Sequence, residues 1–337
     1  METPEVLVLG LGPAGASAAA EAARLGCKVV ALDRKREAGL PVQCAELVSQ
    51  MIEVQPGAVR QRIESMTTFV EDDAPEPTPG FPGRMLDRAA FDKSLVDQAA
   101  RAGAQIRFSS FVTRITAQGV VETSGGTFHA PVIVGADGPR SRAGKAIGEV
   151  NTELVETRQI TVRLLEPYAA TDVFLSAEIP GGYGWLFPKR ELANLGAGVS
   201  PEHKRRLKSI VARLHSTLVE EKRVGRDVVS MTGGAIPVGG MLRPWGFLEN
   251  TLVLLAGDAA GLANPVTGAG IAAAAHSGRL AGQAAVRGTF EEYEEELRDV
   301  YGAALERALE RRRELMRSTF EKSALRRGWI AYPEYWQ

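Results

Sequence analysis

Val6-Leu-Val-Leu-Gly10-Leu-Gly12-Pro13-Ala14-Gly15, then small residues to Leu25, then Gly26 and Val29-Val-Ala-Leu-Asp33, is the stretch on which the fold turns. Four consecutive apolar residues at 6–9, without alternation, fit a strand buried on both faces of a parallel sheet. A helix is expected over 16–25 with Gly26 as its stop, and 29–32 reads as a second strand ending in Asp33. Within such a βαβ unit Gly10 permits the turn, Gly12 lets the backbone approach a pyrophosphate, and Gly15 lets helix pack on strand. The helix start at Pro13 and Ala14 then faces the phosphates. Asp33 stands where a carboxylate binds the ribose hydroxyls of an adenosine. The bare glycine pattern also occurs as a tight turn in other α/β proteins; strand, helix and terminal acid together give it the dinucleotide reading.

NAD and FAD share this fingerprint, so a second site decides between them. An apolar run at 252–256 leads into Gly257-Asp258-Ala-Ala-Gly261, and Asn264-Pro265-Val-Thr-Gly268-Ala-Gly270-Ile271 opens a helix over 271–285. A carboxylate at such a strand end can accept from ribityl or ribose hydroxyls. Free N–H groups at the helix start can stabilise negative charge on the N1/C2 side of a reduced flavin. FAD is therefore the expected cofactor. The bland reading is a loop with an incidental Asp.

Outward from these ends, a helix is expected over 89–102, a strand over 106–115, and another at 132–134 running into Gly135-Ala-Asp137-Gly138. The middle, 151–241, is β-rich at 159–165 and 173–179 with a Gly181-Gly182 turn, as in an α+β insert. Residues 290–327 read as helices with an aromatic tail. The expected architecture is an α/β Rossmann-like parallel-sheet domain for FAD, interrupted by an α+β substrate domain with a mainly antiparallel sheet. In residues, the FAD domain is 1–64 with 85–150 and 246–289, the substrate domain 65–84 with 151–245, and the C-terminal helical segment and tail 290–337.

Composition narrows the class. The 337 residues are 45% hydrophobic, enough to fill cores of this size, and 40 Lys plus Arg against 41 Asp plus Glu leave a net charge of -1, which excludes nucleic acid as an expected partner. Two cysteines, Cys27 and Cys44, make no disulfide framework, and four scattered histidines have no metal-ligand spacing, so no metal is expected. Residues 6–20 lack a basic flank and make a poor secretory signal, and the uncharged stretch 259–278 is too polar and glycine-broken to span a bilayer. A cytoplasmic location is expected.

Gly10 to Gly15 with Asp33, Gly135-Ala-Asp137-Gly138-Pro-Arg-Ser141, and Gly257-Asp258 through Gly270-Ile271 resemble the three FAD motifs of the p-hydroxybenzoate hydroxylase fold group. Two further segments resemble the geranylgeranyl reductase family, which saturates isoprenoid double bonds: Pro41-Val-Gln-Cys44-Ala45-Glu46, and Tyr183-x-Trp185-x-Phe187-Pro-Lys189 with Asn194-x-Gly196-x-Gly198. The resemblance covers about residues 4–290. It implies FAD contacts at Ala14, Asp33, Arg34, Cys44, Ala45, Arg88, Val112, Asp137, Gly138, Asp258, Pro265, Gly268, Gly270 and Ile271. It implies hydride delivery from the reduced flavin N5 to an isoprenoid chain, with NAD(P)H or reduced ferredoxin as electron donor and an apolar or lipid substrate. Asp33 replaces the Glu more usual in the family, Leu47 stands where many members have Gly, and the chain after residue 290 is shorter than in archaeal members.

Cys44, Tyr183 and Trp185 are the candidate catalytic residues. A thiol beside a flavin can tune hydride transfer, gate a loop or give a proton; it can equally fill space as a small apolar residue. Tyr183, Trp185 and Phe187, alternating along a strand, would share one face, either as the wall of an apolar cavity or as ordinary sheet core. Between Arg307 and Arg327 basic residues outnumber acidic ones, and Trp329, Ile330, Tyr332, Tyr335 and Trp336 close the chain. A basic helix and aromatic tail suit either peripheral membrane contact or packing on the protein's own surface. The same three FAD motifs leave a monooxygenase acting on aromatic or polyketide substrates with NAD(P)H and oxygen as the alternative, and an electron-transfer flavoprotein as a third reading. The Trp-x-Trp-x-Ile-Pro segment of flavin halogenases is missing.

Overall fold

The computed structural model describes residues 1–49 and 52–337. The opening strand β1 (Val6–Leu9), helix α1 (Pro13–Arg24) and β2 (Val29–Leu32) form the expected βαβ unit. The helix starts earlier than expected because Pro13, with its fixed φ, occupies its first turn. β3 (Leu47–Ser49) then leads to the long pair β4 (Val59–Val70) and β5 (Glu76–Leu86), followed by α2 (Arg88–Arg101). The single strand expected over 106–115 is in fact two: β6 (Gln105–Arg107), and β7 (Val112–Ile115) in a separate small sheet with β8 (Val120–Thr123) and β9 (Gly126–His129). Ser109, in left-handed backbone between them, breaks the run. The apolar pattern of 106–115 continues across that break, which is why it read as one element.

β10 (Val132–Gly135) and α3 (Arg142–Ala146) precede the middle section of β11 (Leu154–Leu164), β12 (Ala170–Leu175), β13 (Gly184–Lys189), β14 (Leu192–Val199), α4 (Leu207–Glu220) and β15 (Val224–Pro237). β16 (Trp245–Leu248), β17 (Thr251–Leu255), α5 (Ile271–Arg287), α6 (Phe290–Leu297), α7 (Ala303–Arg317) and α8 (Lys322–Arg327) complete the chain.

Two large sheets organise these elements. The first has the order β16-β17-β10-β1-β2-β6, parallel except for β16, so three distant stretches of sequence build it. Its strands are buried on both faces, in one core with α1, α5 and, from the small sheet, Val121 and Phe128. The second has the order β15-β11-β14-β13-β12-β4-β5-β3 and is antiparallel except where β12 runs beside β4. α4 covers one of its faces through Leu207, Ile210, Val211 and Leu218. For this layout we propose the discontinuous division 1–64, 85–150 and 246–289 for the FAD domain, 65–84 with 151–245 for the substrate domain, and 290–337 as the C-terminal segment. The edges at 64 and 85 fall within β4 and β5.

What joins the two ends of the sequence is a pair of helices in unusually close contact. A Cβ at Gly278 of α5 would lie 2.0 Å from the carbonyl oxygen of Ala14 in α1, and one at Gly282 would lie 2.6 Å from that of Ala18. Small residues on both helices let backbone meet backbone, which brings the turn after β17 to the turn after β1.

Candidate active site

The turn after β1 shows why its three glycines differ. Gly10 has φ +95, and a Cβ there would stand 2.3 Å from the carbonyl oxygen of Ala136. A Cβ at Gly15 would meet the carbonyl oxygen of Gly10 at 1.8 Å, whereas one at Gly12 would meet nothing within 4 Å. Gly10 and Gly15 are therefore required by the fold, and Gly12 only by something that approaches from outside. Asp33 fixes the same turn: its carboxylate accepts from the N–H of Leu11 at 2.7 Å and from that of Lys35 at 2.8 Å. Arg34 beside it is exposed, and Val112 is half-buried at the start of β7.

On the facing turn, Asp258 lies in a short helical turn after β17. Its carboxylate forms no hydrogen bond with a described residue, and burial, opposed by the Arg88 guanidinium, raises its pKa to about 6. The loop 264–270 is shaped by Asn264, whose side-chain oxygen accepts from the N–H of Val266 at 3.0 Å and of Thr267 at 2.9 Å. Pro265 lies between them, and Gly268 has φ +69. Both α1, at Gly12, and α5, at Gly270, begin without a side-chain cap, so the first N–H groups of each, including Ile271, stay free. These features fit FAD: an open approach at Gly12, two uncapped helix starts for the anionic parts, and a half-buried carboxylate lacking a donor.

Asp137 takes a different place. Its carboxylate accepts from the Ser141 hydroxyl and from the N–H of Arg142 at 2.6 Å, and so caps α3. Burial raises its pKa against those hydrogen bonds. Gly138 follows with φ +86.

The segment at 43–46 and the strands β11, β13 and β14 are joined by a polar network. Gln159 on β11 donates to the Cys44 carbonyl at 3.1 Å and accepts from the indole N–H of Trp185 at 3.0 Å. Asn194 on β14 donates to the Ala45 carbonyl at 3.1 Å and to Glu46 at 2.9 Å. Glu46 is 4% exposed with φ 69. It also takes the Lys189 ammonium at 2.5 Å and the N–H of Arg88 at 3.1 Å. The Cys44 sulfur accepts from the N–H of Glu46 at 3.1 Å. Arg88 pairs with Asp92; burial opposes its charge, while Cys44 and Asp92 beside it hold its pKa above the ordinary value. Glu46, Lys189 and Asn194 stood inside quoted motifs without an assigned role, whereas Gln159 had no signal beyond being a polar residue in a β-rich stretch.

Tyr183 lies just ahead of β13, not on it, and donates its hydroxyl to the Thr267 carbonyl at 2.6 Å. It thereby ties the second sheet to the loop before α5. Burial, with Cys44 nearby, raises its pKa. Its ring lies 5.8 Å from that of Trp185 and 4.9 Å from that of Trp329. Trp185 and Phe187 sit in a packed cluster with Trp329 and Tyr332 of the tail. Tyr183 lines a cavity with Val266, Arg312 and Trp329. The tail is packed on the protein itself, although Trp336 is 59% exposed. Among the described residues no group of side chains could hold a metal ion, and no helix is long and apolar enough to cross a membrane.

Comparison with known proteins agrees with this geometry. Residues 3–176 match the FAD binding domain family, and residues 155–236 match the geranylgeranyl reductase catalytic domain. The chain is 32% identical over 313 residues to a digeranylgeranylglycerophospholipid reductase of Methanosarcina acetivorans, covering 83% of this chain and 74% of the relative. A digeranylgeranylglycerophospholipid reductase of Methanopyrus kandleri is 33% identical, covering 94% of this chain and 88% of its own. Among solved structures, a geranylgeranyl bacteriochlorophyll reductase-like protein from Thermoplasma acidophilum superposes with a TM-score of 0.85 at 25% identity, covering 96% and 90% of the two chains. A probable FAD-dependent monooxygenase from Pseudomonas aeruginosa shares the fold at a TM-score of 0.70 and 17% identity, covering 96% and 98%.

Proposed function

The chain belongs to the geranylgeranyl reductase family, and from that premise we propose how its own residues serve the reaction. The protein is an FAD-dependent enzyme that reduces carbon–carbon double bonds of an isoprenoid chain. Reduced FAD supplies the hydride, and the protein supplies position and a dry setting.

Gly10, Gly12, Pro13, Ala14, Gly15 and Asp33, with Arg34 and Val112 alongside, receive the adenosine and pyrophosphate. Asp258 accepts from the ribityl chain, and Gly268, Gly270 and Ile271 receive the flavin's anionic edge. Cys44 and Ala45, with Arg88, would hold the ring. Tyr183 orients the 264–270 loop, because its proton is already committed to the Thr267 carbonyl. Trp185 serves as wall, its N–H being taken by Gln159. Cys44, whose sulfur accepts from the Glu46 N–H, is the residue of the three that we place toward the substrate.

The observation that carries this reading is the joining of the segment at 43–46 to β14 through Asn194. It makes the two segments that single out the family one structural unit beside the Asp258 turn. For the electron donor we propose NAD(P)H or a reduced ferredoxin, and for the membrane a peripheral contact at the exposed Trp336 and the Arg307 beside it.

Anaerobic reduction of the holoenzyme followed by mixing with a geranylgeranyl lipid tests the reading. Flavin reoxidation with mass gain of two hydrogens per double bond is expected. Substrate-stimulated oxygen uptake with hydroxylated product would instead favour the monooxygenase.

A further inference from the structure

We propose that residues 318–337 are a strap across the apolar approach to the flavin, latched by Lys322 and Arg326 and lifted from the second sheet when an isoprenoid chain enters beneath it. The inference rests on the isoprenoid-reductase reading and adds the way in for a long apolar chain. Leu325, Trp329 and Tyr332 of the strap are buried in one cluster with Val173, Trp185 and Phe187 of the sheet. Ala45, Leu47 and Val266 border the same cluster, so the strap abuts both the segment at 43–46 and the loop before α5. The Trp329 ring lies 4.9 Å from that of Tyr183. Between strap, α7 and Tyr183 only a cavity of about 30 Å³ is left, room for a few atoms. A pocket for a sizeable organic ligand needs about 300 Å³ or more. A prenyl chain that comes this way therefore has to displace the strap.

The fastenings of the strap suit displacement. On its outer side Lys322 pairs with Asp72 at 2.5 Å and Asp73 at 2.6 Å, and Arg326 with Asp73 at 2.8 Å and Glu76 at 2.6 Å. All three carboxylates belong to the turn between β4 and β5 and the first residue of β5. These side chains are 27% to 88% exposed, so each pair is screened and individually weak. On its inner side the Trp329 indole N–H is buried without a hydrogen-bond partner among the described residues, as are the hydroxyls of Thr68 and Thr171. Thr68 lies two residues from Met66 and Val70, and Thr171 two from Val173, so both hydroxyls stand on the strap's side of the sheet. A contact that leaves buried polar atoms unmade is worth less than its apolar area alone suggests. Between α7 and α8, Phe320 has φ +56, a conformation that a bulky residue holds only where its surroundings impose it, which marks 318–320 as the hinge. Lifting the strap in water would expose the sheet face and three large side chains together. An isoprenoid chain covers that face with equally apolar surface, and a short or hydrophilic ligand does not. Opening is thus tied to the arrival of a long chain, and it draws Lys322 and Arg326 away from their carboxylates.

Two measurements on the oxidised holoenzyme test the strap: the rate of tryptic cleavage after Arg317, at the hinge, and the Kd of prenyl alcohols read from flavin absorbance. The probes are geranylgeraniol and prenol, a single isoprene unit; the proteins are wild type, Lys322→Met/Arg326→Met and Asp73→Asn. Geranylgeraniol is expected to speed cleavage of the wild type by about ten-fold, with prenol without effect. The latch variants should be cleaved faster even without ligand and bind geranylgeraniol several-fold more tightly, since less of the binding is spent on opening, with prenol unchanged. Geranylgeraniol that perturbs the flavin while cleavage stays at the ligand-free rate would overturn the proposal. So would latch variants with the cleavage rate and affinity of the wild type. If the latch variants are cleaved faster but no prenyl alcohol binds or is reduced, the strap is real and it is the reductase reading that fails. If Lys322→Met/Arg326→Met does not fold, Asp73→Asn, which loosens both pairs from the other side, decides.

Discussion

Asp258 offers the sharpest test, because its present state and its proposed task oppose each other. Burial has raised its pKa from the ordinary 3.8 to about 6 even with Arg88 nearby. At about 1.36 kcal/mol per pH unit, that rise corresponds to about 3 kcal/mol between its two protonation states. In the apoprotein the carboxyl is therefore about nine-tenths protonated at pH 5 and about one-tenth at pH 7. A ribityl hydroxyl that donates to Asp258 selects the ionised form. The apparent Kd for FAD should then rise about ten-fold from pH 7 to pH 5, following the fraction of competent protein. Fluorescence titration of apoprotein with FAD across this range measures it. Asp258→Asn, whose side chain does not titrate, should bind more weakly than wild type at pH 7 and show no such slope. A wild-type Kd flat between pH 5 and 7, or an equal slope in Asp258→Asn, would refute the reasoning. The sign for stability runs the other way. A carboxyl whose folded pKa is raised stabilises the apoprotein fully below its unfolded pKa near 4, and that contribution is lost as pH rises through about 6. Apoprotein Tm should thus gain from acidification between pH 6 and 4, and bound FAD should reduce the gain.

Three further outcomes follow from the same contacts. Gly12→Ala should leave apoprotein Tm unchanged, since the added Cβ meets nothing within 4 Å, yet weaken FAD binding by about ten-fold; a matching loss of Tm would show Gly12 to be structural. Gly278→Val should cost about 1–3 kcal/mol or more by urea unfolding and lower FAD affinity as well, because its Cβ presses on the Ala14 carbonyl and pushes α1 from α5. Asn194→Leu should destabilise by about 1–3 kcal/mol, keep FAD content, and lower kcat more than it raises KM, as steady-state assay would reveal.

Much of the first sheet was legible in the sequence because its strands are buried on both faces and its turns use glycine, so composition and local conformation agree. The partnership of the two ends was legible only as an order of motifs; its cause is the contact of Gly278 with Ala14, and nothing local to either residue announces it. The hairpin of β4 and β5 was missed since Pro77, Pro79, Pro82 and Gly80 crowd one of its strands, which reads as loop. Lying near the edge of the sheet, that strand tolerates them. Tyr183, Trp185 and Phe187 read as one alternating face, whereas Tyr183 lies ahead of β13 and is tied to Thr267 while Trp185 and Phe187 pack with the tail. The tail that covers two of them comes from more than a hundred residues downstream, and an aromatic face looks the same whether it walls a cavity or meets another aromatic.

The polar clamp on the Cys44 segment explains why that segment and β14 read together as a family signature. An apolar contact would hold the loop near the sheet but let it slide. Hydrogen bonds from Gln159 to the Cys44 carbonyl and from Asn194 to the Ala45 carbonyl fix two successive peptide units in direction as well as distance. Glu46 adds a charged anchor, which is tolerable in a buried position only because Lys189, Asn194 and the Arg88 N–H meet its oxygens together. Removing any one partner leaves one of its buried hydrogen bonds unmade, so the network favours retention of the whole set over piecemeal change. A side chain such as Cys44, raised on a loop by this arrangement, keeps its place relative to the Asp258 turn without itself having to pack.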